Sequence, residues 1–381
     1  MLNPPSIRQM AFLAILSAVG STFARGEPSA YRLVDLGELP GGIASESYSI
    51  NASGQIAGFS FSPTYVHAAF KYSNGNLTSL GTLGGPNNNG LAINDLGDVV
   101  GEADRADNAS HAFLSKDGVM TDLGSLAGVA SRQGSVAVSI NNADQVVGYS
   151  FITAGTRAFL YQNGAMKDLG TLGGKNSTAQ HINNIGQIVG SADTKVGNTS
   201  AFFHQDGVMA SLGTLGGASS EAQAINDHGQ IVGMSDLSAT SFRHAFLYDN
   251  VTMKDLGTIA GDSWASSINN AGQIVGSVNP LNPTTLTGYQ TYVHGFLYQD
   301  KKMYDLTAYL QDANGWFVSE ANSINDQGWI AGIGGNGANE HAILLIPVPE
   351  PATLSLVTLA MFCLRRRARM ALTTRSKNGL S

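Results

Sequence analysis

Seven Ile-Asn pairs recur along the chain, beginning at Ile50, Ile93, Ile140, Ile182, Ile225, Ile268 and Ile324, with spacings of 43, 47, 42, 43, 43 and 56 residues. A fixed period of this size marks a repeat architecture, in which each unit buries its apolar face only against its neighbours. The clearest unit, residues 224–261, reads AINDHGQIVGMSDLSATSFRHAFLYDNVTMKDLGTIAG. Any fold for this chain has to accommodate seven versions of it.

Each unit divides into four short segments of strand character. The first is rich in small residues and ends in the Ile-Asn pair, as in Ser47-Tyr48-Ser49-Ile50 and Ala222-Gln223-Ala224-Ile225. The second is Gln-Ile-Val-Gly (187–190, 230–233, 273–276), the third His-Ala-Phe-Leu-Tyr (244–248) and the fourth Met-Lys-Asp-Leu-Gly (166–170, 253–257). Short runs of Val, Ile, Phe and Tyr bounded by Gly and Asn are strands. The turns agree. Asn-Asp-x-Gly, as at Asn226 to Gly229, suits a short loop whose glycine takes positive φ, and Asp144 replaces that glycine in one copy. Asn74-Gly75, Asp117-Gly118, Asn163-Gly164 and Asp206-Gly207 are two-residue hairpin signals between the third and fourth segments.

Seven four-stranded antiparallel units of this length predict an all-β chain folded as a seven-bladed β-propeller over residues 31–346, with a β-solenoid as the alternative. The ends support closure. The seventh unit stops after its third segment, His341-Ala342-Ile343-Leu344-Leu345, whereas a lone fourth segment, Tyr31-Arg32-Leu33-Val34-Asp35-Leu36-Gly37, precedes the first Ile-Asn. That N-terminal strand is expected to complete the last blade and leave no open edge. Small residues on the first segment fit a place beside a crowded central axis.

Composition limits the partners. A hydrophobic content of 43% can build a core, and 46 glycines indicate many tight turns. A net charge of −7 with no basic stripe speaks against nucleic acid. The single cysteine, Cys363, allows no intrachain disulfide, so the fold rests on core packing and hydrogen-bonded sheets.

The two ends suggest export. Residues 1–24 carry Arg8, an apolar run at 10–19 and Thr22-Phe23-Ala24 as a small-x-small cleavage site, which reads as a secretory signal peptide, with a cut after Ala30 as a variant. Residues 347–369 run from Pro349-Glu350-Pro351 through an apolar stretch (352–364) to Arg365, Arg366 and Arg367, with a 12-residue extension at 370–381 expected on the cytoplasmic side. This order resembles the PEP-CTERM sorting signal. The resemblance implies an outer-membrane-bearing bacterium, transient anchoring in the inner membrane through the short apolar helix, and processing by an exosortase-type enzyme. A simple C-terminal anchor is the alternative. The repeat itself resembles the HAF family of extracellular repeats, named for the His-Ala-Phe present at His111 and His244, with His67-Ala68-Ala69-Phe70 as a variant. That resemblance implies a location outside the cytoplasm and no particular activity.

Chemistry is sparse. Histidine heads the third segment at His67, His111, His244, His294 and His341, with Arg157 and Ser200 in the other units. Equivalent positions around a ring cannot converge on one metal ion. The histidines are therefore expected to pin a neighbouring loop in each blade. The Gly-Thr-Leu-Gly-Gly segments (81–85, 170–174, 213–217) imitate a phosphate loop but recur as connectors between units, and Lys175 is followed by Asn176 with no helix pattern. The Asn/Asp turns lack the alternating carboxylates of a calcium loop. No nucleophile elbow or zinc motif is present, Glu102, Glu221 and Glu320 form no evident pair, and no cofactor is implied.

Function then falls to departures from the repeat. The loop 279–292 brings Tyr289 and Tyr292, and residues 309–317 bring Trp316, which either stacks on a ligand or fills the core where the ring closes. The expectation is a non-enzymatic binding or structural module of the cell surface, with extracellular polysaccharide or a surface protein as partner. The alternative is a polysaccharide lyase or hydrolase with its site on one propeller face. Clustered carboxylates in a central pocket would favour the enzyme, and a channel lined by Ser, Ala and Asn would favour binding.

Overall fold

The computed structural model describes residues 27–128, 133–238, 242–279, 293–337 and 340–349. Seven four-stranded antiparallel sheets follow one another: blade 1 (44–79), blade 2 (84–124), blade 3 (135–168), blade 4 (173–213), blade 5 (216–255), blade 6 (262–305) and blade 7 (317–347 with 31–35). The first strands of successive blades touch all the way round, and blade 7 returns to blade 1. The chain is thus a closed seven-bladed β-propeller. Its N-terminal strand Tyr31–Asp35 is the outer strand of blade 7, in register from Tyr31 opposite Pro347 to Asp35 opposite Ile343.

Local sequence explains the hairpins. Each two-residue turn between third and fourth strands has positive φ at both positions, as at Asn163 (53°) and Gly164 (78°), the twist that matches antiparallel strands. Blades 5 and 6 make the same turn with Asn250-Val251 and Asp300-Lys301, without glycine. In blades 2, 4 and 5 the Gly-Gly connector is itself the start of a ten-residue first strand (Gly84–Ile93, Gly173–Ile182, Gly216–Ile225), which makes the first strand longer than its Ile-Asn end suggests.

Both faces of each blade are buried against a neighbour, so alternate residues of one strand serve two interfaces. In blade 5, Ile231 and Phe246 pack toward Val189 and Ala201 of blade 4, whereas Val232 and Ala245 pack toward Ala265 and Phe296 of blade 6. The third-strand phenylalanines Phe70, Phe113, Phe159, Phe202, Phe246 and Phe296 are completely sealed, with Ile343 in that place in blade 7. Each contributes about 2–3 kcal/mol of apolar burial.

A β-bulge interrupts the first strand of every blade at one place, from Ser47/Ser49 in blade 1 to Ala321/Ser323 in blade 7. The glycine of Gln-Ile-Val-Gly explains it. A Cβ at Gly233 would collide with the carbonyl oxygen of Glu221, and Gly58, Gly101, Gly148, Gly190, Gly276 and Gly332 meet the first strand in the same way. That glycine serves close backbone approach, and the bulge is its consequence.

The Ile-Asn asparagines close the inner ring. Each Oδ1 accepts the backbone N–H four residues on, which shapes the turn, at 2.9 Å from Gln55 and Gln187 and 3.0 Å from Gln230. Each Nδ2 donates to the backbone oxygen of the next blade's asparagine: Asn51 to Asn94, then Asn141, Asn183, Asn226, Asn269, Asn325 and back to Asn51, at 2.9–3.3 Å. All seven are buried. A second circuit outside it links each following backbone N–H to the next blade's Asp or Asn side chain, from Ala52 to Asp95 round to Asn270 and Asp326. It cannot close, because Ala52 offers no acceptor to Asp326.

Asn226→Ala strips partners from buried backbone groups of two blades and is expected to cost roughly 2–4 kcal/mol. A urea midpoint lowered with an unchanged slope would show it. A change below 0.5 kcal/mol would remove the ring from the account of stability.

Candidate functional site: the central channel

The bulges decide what lines the axis. Each turns one extra side chain toward the channel: Tyr48, Leu91, Val138, Gln180, Gln223, Ser266 and Asn322. All seven line one cavity of about 430 Å³, with Tyr149 beside them and no charged side chain in its wall. A smaller cavity of about 180 Å³ lies on the side of the Asn ring. The two adjoin at Ile93, Ile140 and His181.

His181 takes a position held in the other blades by Ser49, Ala92, Ser139, Ala224, Ser267 and Ser323. Serine there receives the next blade's Ile N–H, as from Ile93 to Ser49 and from Ile182 to Ser139. The imidazole fills the waist instead. Its Nδ1 is sealed and has no partner among the described residues. Burial lowers its pKa from 6.5 to about 4, partly opposed by Asp227 and by a hydrogen bond with the Ile225 backbone.

At the wide end, Glu46 and Glu320 share a pocket of about 320 Å³ with Tyr48, Val293, Ser319, Ile333 and Glu340. Tyr48 lines both this pocket and the channel cavity. Its hydroxyl donates to Glu46 at 2.7 Å, and its ring stacks on Phe59, which stacks on His67. Burial first, then the Glu46 charge, raise the Glu320 carboxyl, and burial likewise raises the Tyr48 hydroxyl, reinforced by Glu46. Glu102 accepts from Asn89 at 3.0 Å and adds to the burial that raises Tyr149. These carboxylates come from opposite ends of the sequence, which is why reading along the chain finds no pair. Among the described residues no group of three or more His, Cys, Asp or Glu is placed to hold a metal ion.

The repeated histidines are structural, but their partner differs from the expected neighbouring loop. His111, His244, His294 and His341 use Nδ1 to hold the fourth-strand aspartate of their own blade, Asp122, Asp255, Asp305 and Asp35, at 2.8–3.1 Å. That aspartate in turn accepts the backbone N–H two residues on, at Gly124, Gly257, Thr307 and Gly37. Blade 3 replaces only the histidine, whereas blades 1 and 4 replace both members. Arg157 pairs with Asp168 at 3.7 Å, Ser200 with Ser211 at 2.7 Å, and blade 1 has Ala68 and Ser79. His67 therefore stands one residue outside the equivalent position and reaches Asn89 of blade 2 at 2.9 Å.

Trp316 lies half-buried against the core where blade 7 closes, beside Leu33 and Tyr309, with its ring edge-on to His341. The structure gathers it with the closure rather than the channel. The Thr-Leu-Gly-Gly connectors repeat one geometry, with Thr171 donating to Gly174 O and Thr214 to Gly217 O at 3.0 Å. Tyr289, Tyr292, Glu350, Pro351, Arg365, Arg366 and Arg367 lie outside the described residues, as do residues 1–24, expected to be a signal peptide. Pro349 is the last described residue, and Val348 donates to the Ala30 carbonyl beside the closing strand. Among the described residues no helix is long and apolar enough to cross a membrane. Val293, the first described residue after the segment bearing the two tyrosines, lines the acidic pocket.

The pinning pair and the waist each make a measurable prediction. In a double-mutant cycle, His244→Ser and Asp255→Ser are expected to couple by about 0.5–1 kcal/mol, because serine already pairs with serine in blade 4. Strict additivity would sink the pin. For His181, the folded pKa lies below the unfolded one, so the unfolded state binds more protons between them. Its stabilisation is complete above about pH 6.5 and is lost as pH falls toward about 4. Wild type should therefore lose on the order of 3 kcal/mol more than His181→Ser over that window, read as denaturant midpoints at each pH. Parallel pH curves would contradict the assignment.

Likeness to known proteins is limited. The family described as "Protein of unknown function (DUF3466)" matches residues 172–342, which run from the connector before blade 4 into blade 7. No curated protein matches. Among solved structures, the β-propeller domain of the Trilobed protease from Pyrococcus furiosus, described as having an open velcro topology, is 8% identical with a TM-score of 0.53, over 84% of this chain and 94% of that one. A puromycin-hydrolysing peptidase of Mycobacterium tuberculosis is 12% identical with a TM-score of 0.51, over 76% of this chain and 49% of that one. TolB from Acinetobacter baumannii is 12% identical with a TM-score of 0.46, and the match spans 66% of this chain and 64% of TolB. At these identities the likeness is one of fold: the chain is similar to propellers of several activities.

Proposed function

We propose that the protein is an exported binding module of the bacterial cell surface or extracellular matrix that holds extracellular polysaccharide in its central channel. The observation that carries this reading is where the seven units differ. The Ile-Asn turn and the close-approach glycine are the same in every blade, whereas the bulge residue is Tyr, Leu, Val, Gln, Gln, Ser or Asn, and all seven meet in one cavity. A ring serving only as scaffold gains nothing from a varied lining, whereas a binding site on a rigid frame requires one. Tyrosines beside amide and hydroxyl groups suit a sugar, which offers an apolar ring face and a polar edge. The leader and the PEP-CTERM-like tail support export and processing by an exosortase-type enzyme, and the HAF-like repeat supports a place outside the cytoplasm.

One observation favours a second reading, a polysaccharide hydrolase. Glu46 and Glu320 share the mouth pocket, and burial raises the Glu320 carboxyl, the direction that a general acid needs. One experiment separates the two: incubation of the protein with the producing bacterium's extracellular polysaccharide, followed by co-sedimentation and measurement of chain length. Retention at constant chain length, weakened at least tenfold by Tyr149→Ala, is expected. Chain shortening abolished by Glu320→Gln would replace the binding module with the hydrolase. Absence of both would leave a protein partner or a scaffold.

A further inference from the structure

The wide half of the channel has two unlike walls. Blades 1, 2 and 3 contribute Tyr48, Leu91 and Val138 as their bulge residues, while blades 4, 5 and 7 contribute Gln180, Gln223 and Asn322. In a seven-membered ring these two groups stand on opposite sides of the axis. Gln180 and Gln223 are half-buried and hydrogen-bond no described residue, so each amide keeps a carbonyl acceptor and two N–H donors toward the cavity. The wall carries no charge of either sign.

We propose that this cavity receives the uncharged terminal ring of a polysaccharide chain, inserted end-on, with its C–H face against the Tyr48–Leu91–Val138 wall and its hydroxyls on the amides of Gln180 and Gln223, the Asn322 amide being held by the Ser47 carbonyl. The assignment rests on the channel being the glycan site proposed above, and it names which glycan. The volume of about 430 Å³ falls within the ~300–1,000 Å³ usual for small-molecule sites. The channel then narrows at Ile93, Ile140 and His181 to the smaller cavity above the Asn ring, so a chain enters by its end and does not thread. A uronate ring would have to bury its carboxylate among neutral groups with no cation to pair it. The acidic pocket of Glu46, Glu320 and Glu340 adjoins the cavity at Tyr48 and disfavours a further carboxylate beside it. Acidic polysaccharides are excluded twice, by the mouth and by the wall.

The test is calorimetric titration of the full chain with three probes of equal ring number: linear neutral hexose oligosaccharides of several linkages, linear uronate oligosaccharides, and a cyclic neutral glucan that has no chain end. Linear neutral oligomers are expected to bind, uronates at least tenfold more weakly, and the cyclic glucan not at all. Glu46→Gln combined with Glu320→Gln should narrow the gap between neutral and uronate probes. Gln223→Leu and Gln180→Leu should each weaken the neutral probe tenfold or more, at a melting temperature within two degrees of wild type. Uronate or cyclic glucan bound as tightly as the linear neutral chain would overturn the proposal and leave the polysaccharide module standing. Undiminished neutral binding in both folded glutamine variants would do the same. Failure of every probe to bind, with the producer's own polysaccharide also unbound, would remove the glycan reading and this proposal together.

Discussion

The seven-membered asparagine cycle is the interaction on which the ring depends. Each asparagine answers two demands with one side chain. Its Oδ1 shapes the turn of its own blade, and its Nδ2 satisfies a buried carbonyl of the next. A buried backbone oxygen left unpaired costs about 1–3 kcal/mol, so the cycle favours a closed ring over an open one. Closure also needs the strand from the other end of the chain. Tyr31–Asp35 pairs along blade 7, and the His341–Asp35 contact there repeats the pin used inside other blades. The interface between last and first blades is thereby built like the rest, with Phe70 and Ile56 packed against Ala331, Ala342 and Leu344.

Above that ring, a contact made for packing sets up the site. A glycine in the second strand admits the carbonyl of the first, the first strand bulges, and one side chain per blade turns inward. The alternation of the blade core is taken up by Ile, Val, Ala and Phe, so the bulge residue stands outside it, although Tyr48 stacks on Phe59 and Asn322 holds the Ser47 carbonyl. The architecture therefore separates positions that hold the ring from positions that can vary. His181 marks the boundary between them. It stands at a position where serine is commonest and occupies the waist at the expense of burying an imidazole that stays neutral well below its ordinary pKa.

The acidic mouth gives the channel a direction. Glu46, Glu320 and Glu340 share a pocket that adjoins the channel cavity at Tyr48, and the Asn ring lines the other end. Binding and hydrolysis make different use of this asymmetry. For binding, the charge filters what enters. For hydrolysis, the two carboxylates that share the pocket, Glu46 and Glu320, would be the reacting groups. Fold likeness does not choose between these roles, because propellers of similar shape include domains of proteases and peptidases.

Much of this was legible along the chain. Ile-Asn at near-constant spacing set the number of blades, Asn-Gly and Asp-Gly set the hairpins, and the lone Asp35-Leu36-Gly37 segment before the first unit set the closure, because turns and strand periodicity are local properties. The recurrence of histidine was visible too, but its partner was not. His244 and Asp255 are eleven residues apart and meet only because the hairpin between them folds back, and His67 looked equivalent until the register of Phe70 placed it one residue out. Glu46 and Glu320 are 274 residues apart in sequence and neighbours only in a closed ring. The sequence by itself determined the repeat and its strands, since each depends on residues close along the chain, and it showed which segment was left over to close the ring. Tertiary structure alone decided what faces the axis, because a bulge reverses side-chain direction and ring closure brings the first and last blades together.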